Sequence, residues 1–395
     1  MKPSDFQFID RSKPGTEEVM RPSLTYWQDA WRRLKKHRIA MAGLAGVIFI
    51  SLFAIFGPLI TPITYSDQNL DFSNIPPRFF IYKIKENQFV YLTSDYKLLS
   101  VSEKGEILSR LKRIDADAIN KVYTYEGDSM EIKLDFSYNL LPGKMNSPYD
   151  YAFIHNGEKT TEPHKRVNNR TYPFGSDVLG RNLLVRVMYG ARISLTIALV
   201  ATLVNFFIGV FYGSLAGYEG GKIDILMMRI VDLLNSIPLI LYVILIMVLV
   251  GNRGLWTLTI ALGSVYWVRM ARLVRGQVLS LKNQEFVLAA RALGVPKNKI
   301  IFRHLVPNAL GPIIVAMTMM IPWAIFTEAF IGFIGLGVSA PMASWGTLAN
   351  DALAGLLTYP YQLFYPSMAI AITMLSFNFL GDGLRDALDP RLRRG

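Results

Sequence analysis

The sequence predicts an all-α polytopic membrane protein of six transmembrane helices, with an extracytoplasmic β-rich domain inserted between the first and second spans. Three observations predict it. Apolar residues make up 51% and charged residues only 18% of the 395 positions, and the mean hydropathy is +0.28, too apolar for a typical soluble protein of this size. Uncharged apolar runs recur at about the length a helix needs to cross a bilayer. After the first of these runs the chain turns polar and alternates with a period of two, as strands do.

Charge and cysteine usage narrow the function classes. The net charge of +12 sits beside apolar segments and not in a basic run interleaved with aromatics, so membrane orientation accounts for it and nucleic acid is not expected as a partner. Without any cysteine the chain forms no disulfide, thiolate nucleophile or zinc–thiolate site. His37, His155, His164 and His304 are too scattered for a local ligand motif, and neither a metal nor a cofactor is expected. No Gly-x-x-x-x-Gly-Lys-Ser/Thr phosphate loop occurs, which leaves the chain without the usual ATP-binding machinery, and no hydrolase constellation lies near a span.

Residues 1–38 form a polar N-terminal segment ending in Arg32, Arg33, Lys35, Lys36 and Arg38, which predicts a cytoplasmic start before a first span at 39–60. A signal peptide would place its charges closer to the start and have a shorter apolar core. Residues 61–171 read as the inserted domain, with strands expected at 79–85 and 88–92. Within 62–170, 15 basic residues balance 15 acidic ones. A neutral segment following a span with a cytoplasmic start is expected outside the membrane.

Residues 172–383 read as the core, with five further spans. The second, at about 193–215, has Gly209, Gly213 and Gly217 at four-residue spacing, a small-residue face for close helix approach. An amphipathic stretch at 224–235 precedes a third span at 238–250. The fourth, at 255–268, is followed by Arg269, Arg272 and Arg275 as expected cytoplasmic anchors. The fifth, at 313–334, contains Pro322 and Glu328, and an intramembrane carboxylate is a candidate proton relay, substrate contact or buried interhelical hydrogen bond. The loop 338–366 has no Lys or Arg and is expected outside. A sixth span at 368–380 leads to a cytoplasmic tail, 384–395.

Between the fourth and fifth spans lies a hairpin, 283–308. Asn283 is placed to cap a helix whose Phe286, Ala289, Ala290 and Leu293 share one face at i, i+3, i+4 and i+7, and that face needs a partner. Gly294 suits a left-handed C′ position. Pro296 then starts a second helix with Ile301, Phe302 and Leu305 inward, which Pro307 is expected to end.

Glu285, Ala289, Ala290, Gly294, Leu305 and Pro307 of this hairpin resemble the EAA loop of ABC-importer permeases. Phe174, Gly175, Asp177, Gly180, Arg181, Arg186, Gly190, Arg192 and Ser194 are similar to the segment before the second span in permeases of the dipeptide and oligopeptide importer family. Glu328 falls in a segment like that family's Glu-Ala-x-x-x-Phe-x-Gly-Leu-Gly, and Leu384 to Arg391 resembles its C-terminal signature. The resemblance implies a type I permease bundle in a bacterial or archaeal plasma membrane, with both termini cytoplasmic. It implies that Glu285, Phe286, Ala289, Ala290, Leu293, Gly294 and Pro307 form the coupling helix that meets an ATPase.

The implied partners are a homologous second permease subunit, two ATPase subunits, an extracytoplasmic substrate-binding protein, a peptide substrate and membrane lipid. Energy then comes from ATP hydrolysed by the partners, and the chain is not itself an enzyme. The inserted domain departs from the short loop usual in the family. Other readings stand beside this one: the hairpin as a structural helix pair on the membrane surface, Asp177 as a helix cap with the arginines on lipid headgroups, a nickel or metal-chelate permease, and a secondary transporter with Glu328 as proton carrier.

Overall fold

The computed structural model describes residues 25–127, 130–138, 140 and 148–388. Residues 1–24 of the expected N-terminal segment, and Asp389, Pro390 and Arg391 of the tail, lie outside them. The helices are α1 (Tyr26–Lys36), α2 (Arg38–Ile60), α3 (Leu183–Glu219), α4 (Gly221–Ser236), α5 (Leu239–Val250), α6 (Leu255–Leu281), α7 (Glu285–Ala292), α8 (Lys297–Lys299), α9 (Val306–Ile331), α10 (Trp345–Asp351) and α11 (Tyr361–Leu388).

Among the described residues, four helical segments are long and apolar enough to cross a membrane: Arg38–Ile60, Leu183–Glu219, Lys297–Leu336 and Tyr361–Leu388. The pair α4–α5, bent by 89°, makes a fifth if it counts as one span. The expectation of six therefore differs at α6. That helix has length enough, but Thr257, Thr259, Ser264, Arg269 and Arg272 interrupt its apolar residues.

Several boundaries also move. Asn182 accepts from the backbone N–H groups of Leu184 and Val185 and so starts α3 ten residues before the expected second span. Its 37 residues reach about 55 Å, well beyond a bilayer core. The glycine face behaves as expected. A Cβ on Gly213 would lie 2.3 Å from the Ala271 carbonyl oxygen, and one on Gly209 2.5 Å from Met270 Cβ, so these glycines let α6 approach α3 backbone to backbone. On the other side of the bundle Gly43 and Gly46 of α2 seat Ser376 of α11.

The inserted domain comprises two antiparallel five-stranded sheets, ordered β10-β1-β2-β3-β4 and β5-β6-β7-β8-β9. Strands β1 (Arg78–Lys85) and β2 (Gln88–Leu92) fall where alternation predicts them. β3 (Leu98–Val101) and β4 (Ile107–Arg110) complete the first sheet with β10 (Lys165–Asn168). The second sheet holds β5 (Lys112–Asp117), β6 (Val122–Gly127), β7 (Met130–Asp135), β8 (Ala152–His155) and β9 (Glu158–Thr160).

The sheets share one core, in which Tyr82, Val90 and Leu98 of the first meet Tyr125, Ile132, Leu134 and Phe153 of the second. Burial pushes the Tyr125 phenol up to about 12, so it stays a donor, to the Tyr96 carbonyl at 2.5 Å. The first sheet also buries its other face, through Phe79, Ile81, Leu99 and Val167 on Ile75, which is why β3 is buried at every position.

Polar contacts tie the domain to the helices. Ser94 and Tyr359 share a hydrogen bond at 2.6 Å, and Gln362 Nε2 donates to Asn74 Oδ1 at 3.0 Å.

Candidate functional site

The hairpin is built around a complete helix C-cap. Gly294 adopts φ +72°, its N–H donates to the Arg291 carbonyl, and the Val295 N–H reaches back to Ala290, each at 3.0 Å. That double bond pattern with a left-handed glycine is a Schellman motif, and Val295 and Ala290 supply its apolar contact. The start differs from expectation: Gln284, not Asn283, occupies the N-cap, and its side chain makes no cap bond.

Packing within the chain selects another stripe of this helix. Val287 and Ala290 are buried against Met270, Val274 and Val278 of α6 and against Ile300, Ile301 and Leu305. Glu285 and Ala289 are exposed, and so are Phe286 at 39% and Leu293 at 83%; Phe302 is exposed as well. Two apolar stripes compete on this short helix, and the one bearing β-branched Val287 fits the groove beside α6. Of the four residues on the expected face Ala290 alone is buried within the chain, and of the three expected inward on the second helix Phe302 is not.

Pro307 does not end the second helix. A π-helical turn, Ile300–Leu305, precedes it and places it in the first turn of α9, where a missing N–H is tolerated. The hairpin thereby becomes the foot of a 40-residue rod, Lys297–Leu336. It is clasped to the end of α3: Lys297 pairs with Glu219, Lys282 Nζ donates to the Gly217 carbonyl at 2.9 Å, and the Arg291 guanidinium lies 5.0 Å from the Tyr218 ring centre.

At the opposite end of α3, about 50 Å away along its axis, the second group of expected residues converges. Asp177 Oδ2 accepts from Arg181 Nε at 2.7 Å and from Arg186 Nη1 at 2.6 Å, while Oδ1 accepts the backbone N–H groups of Leu179 and Arg181, both at 2.9 Å. All three side chains are buried. Gly180 has φ +70°, and a Cβ there would lie 1.7 Å from the Asn69 carbonyl oxygen, so only glycine lets the strand-side loop close over this turn. Arg192 stands apart. Its Nε and Nη2 donate to the Ala54 and Ile55 carbonyls of α2, each at 2.6 Å.

Glu328 is fully buried, with Oε2 accepting from Ser194 Oγ at 2.7 Å. Ser194 Oγ in turn accepts the Trp345 N–H at 3.3 Å, and Trp345 Nε1 donates to the Val187 carbonyl at 3.0 Å. Ser194 and Glu328 thus hold the start of α10 on α3 and α9, while the cluster of Asp177, Arg181 and Arg186 meets its other end. Sequence reasoning missed one member of that cluster. Asp351, at the end of α10, lies 3.3 Å from Arg186 Nη2 and 3.9 Å from Arg181 Nη2; as a carboxylate in a loop without Lys or Arg, it had no basic neighbour in sequence to betray it.

Residues 207–394 match the family model for binding-protein-dependent transport system inner membrane components, and residues 25–77 match the N-terminal transmembrane domain of oligopeptide transport permease C. The dipeptide transport system permease protein DppC of Bacillus subtilis is 40% identical over 379 residues, 96% of this chain and 90% of that protein. The oligopeptide transport system permease protein OppC of the same organism is 38% identical over 378 residues, 96% of this chain and 94% of that one. With so much of the chain aligned, the two inserted sheets fall inside the compared stretch. The oligopeptide transport system permease protein OppC of Escherichia coli (strain K12), 46% identical, aligns over 220 residues, 56% of this chain and 72% of that protein.

Proposed function

The chain belongs to the binding-protein-dependent transport inner membrane components, in the OppC/DppC-like branch of ABC-importer permeases, and on that premise we propose that it moves oligopeptides or dipeptides by passing the motion of ATPase subunits through the α7 hairpin into α3, α6 and α9. As such a permease it is a multi-pass membrane subunit that works with ATPase partners and a second permease, and it is not itself an enzyme. The observation that supports the proposed route is the two-sided hairpin. Val287 and Ala290 fix it to the bundle, while Glu285, Phe286, Ala289 and Leu293 are left facing outward.

A short helix with an uncovered apolar stripe and a carboxylate in its first turn suits docking to another protein, because the stripe loses water on contact and the helix N-terminus favours the negative charge. The clasp of Lys297 on Glu219 and of Arg291 on Tyr218 makes the hairpin move with α3. The foot of the Lys297–Leu336 rod transmits the same displacement towards Glu328.

We place the hairpin and both termini in the cytoplasm, on the strength of the basic cluster before α2 and of Arg272 and Arg275 near the end of α6. The two sheets then lie outside, where they serve docking of a substrate-binding protein or stability of the complex. Alternating access follows: the binding protein delivers peptide to a pore between this subunit and its homologous partner, and closure of two ATPases reorients it. The test is purification of the intact complex through this chain, identification of its partners, and measurement of ATP-driven peptide uptake in vesicles. Two ATPases and a second permease with ATP-dependent uptake are expected; a lone chain, or uptake driven by a pH gradient without ATP, would overturn the reading.

A further inference from the structure

Three arginines stand one helical turn apart on α6, and two are paired within the chain. Arg275 Nε and Nη2 lie 2.5 and 2.6 Å from the two carboxylate oxygens of Asp224, and Arg272 Nη2 lies 2.9 Å from Asp232 Oδ1, both acids belonging to α4. Among the described residues, no carboxylate forms an ion pair with Arg269. Its guanidinium lies 5.5 Å from the centre of the Trp323 ring, and the side chain is exposed.

Arg269 lines a cleft of about 500 Å³ whose other walls include Asn235 and Pro238 at the 89° break between α4 and α5, Tyr266, and Trp323 and Phe326 of α9. It is the only charged residue in that lining. The Tyr266 hydroxyl is itself occupied, sharing a 2.5 Å hydrogen bond with Thr327.

Depth makes the missing partner informative. Taking α6 as a crossing that begins at Leu255, as a cytoplasmic hairpin after α3 and the α4–α5 pair requires, Arg269 lies fourteen residues or about 21 Å in, inside the roughly 30 Å of an apolar bilayer core. A cation at that depth is costly unless it faces a water-filled path and meets a counter-charge. An interrupted helix is tolerated there for the same reason, where it borders a cavity. The Trp323 ring holds the guanidinium over its face without neutralising it.

Building on the peptide-permease reading, we infer that this cleft is part of the peptide's path through the subunit and that Arg269 receives the peptide's C-terminal carboxylate, with apolar peptide side chains against Trp323 and Phe326. A guanidinium suits that role because its planar donors match a carboxylate two at a time.

The experiment uses the complete transporter in vesicles, with a short peptide bearing a free C-terminal carboxylate and the same peptide C-terminally amidated, in wild type, Arg269→Gln and Arg269→Lys. The ratio of carboxylate to amide uptake is expected to fall about tenfold in Arg269→Gln, with Arg269→Lys between it and wild type. An unchanged ratio, whatever the absolute rates, overturns the inference. So does loss of the second permease from purified Arg269→Gln, which would place the missing carboxylate in that subunit. A wild-type complex without ATP-dependent peptide uptake would instead defeat the underlying reading, which separates the two failures.

Discussion

Arg192 donates through Nε to the carbonyl of Ala54, the group that Pro58 leaves without its helical partner four residues on. A proline inside an apolar helix strands one acceptor where lipid offers no donor. Arg192, reaching over from α3, supplies it, and its Nη2 takes the Ile55 carbonyl as well. Replacing Arg192 with leucine should therefore lower the thermal unfolding temperature of the purified subunit by an amount corresponding to about 1–3 kcal/mol. The double variant with Pro58→Ala should recover part of it, since alanine restores the backbone bond. No recovery would show that Arg192 acts elsewhere.

The buried cluster on Asp177 makes an ordering prediction. Two arginines converge on this carboxylate in a site shielded from water, whereas Asp351, which they also approach, is 46% exposed. Asp177→Asn leaves two buried guanidinium groups with one solvent-exposed counter-ion and should cost about 3–5 kcal/mol. Asp351→Asn should cost about 1 kcal/mol or less, because solvent screens it. Thermal denaturation of the two variants compares them directly, and equal losses would contradict the burial argument.

Glu328 tests the choice between a structural bond and a proton carrier. Its carboxylate accepts from the hydroxyls of Ser194 and Ser344, which the carbonyl oxygen of glutamine can also do at nearly the same size. Glu328→Gln should keep most ATP-driven uptake. Abolished uptake in a normally assembled complex, together with proton-driven uptake in wild type without ATP, would return the carboxylate to a transport role.

How much of this was legible in the sequence depended on the range of the interactions. Strands β1 and β2, the left-handed Gly294 and the glycine face of α3 were readable because alternation, a C-cap and close helix approach leave their marks within a few residues. Which face of α7 packs on the bundle was not readable, because Phe286 and Leu293 are as apolar as Val287, and only the position of α6 selects between them. Pro307 misled for a related reason: a π turn before it, set by packing of Ile300, Ile301 and Leu305, carries the helix through a residue that usually stops one. The pairing of Asp351 with Arg186 spans 165 residues and has no local signature at all.

The hairpin predictions separate shape from surface. Gly294→Val forces a β-branched residue into φ +72°, at a cost of about 1–2 kcal/mol, although no atom lies within 4 Å of the added Cβ. It should alter the hairpin angle and depress transport. Leu293→Asp and Glu285→Lys change exposed positions, so the subunit's own unfolding temperature should stay within a degree or two while peptide uptake per ATP hydrolysed falls. Normal coupling in both surface variants would remove this face from contact with the ATPase.

Orientation is the last prediction, and the absence of native cysteine makes its test direct. Glu86, in the turn between β1 and β2, and Lys104, between β3 and β4, are both exposed on the sheet domain, whereas Asn298 is exposed at the foot of the rod beside the hairpin. Single variants Glu86→Cys and Lys104→Cys should react with a membrane-impermeant thiol reagent on intact cells, and Asn298→Cys only after lysis. The warrant is the basic cluster of Arg32, Arg33, Lys35, Lys36 and Arg38 before α2, set against a sheet domain of balanced charge. Because α2 crosses once between the cluster and the sheets, the two ends of the test are coupled: labelling of Asn298→Cys but not of the sheet variants on intact cells would invert the whole chain and leave the α7 stripe facing away from any cytoplasmic ATPase. Labelling of all three without lysis would mean that an even number of crossings separates the sheets from the hairpin, and the path through α3, the bent pair α4–α5 and α6 would have to be redrawn.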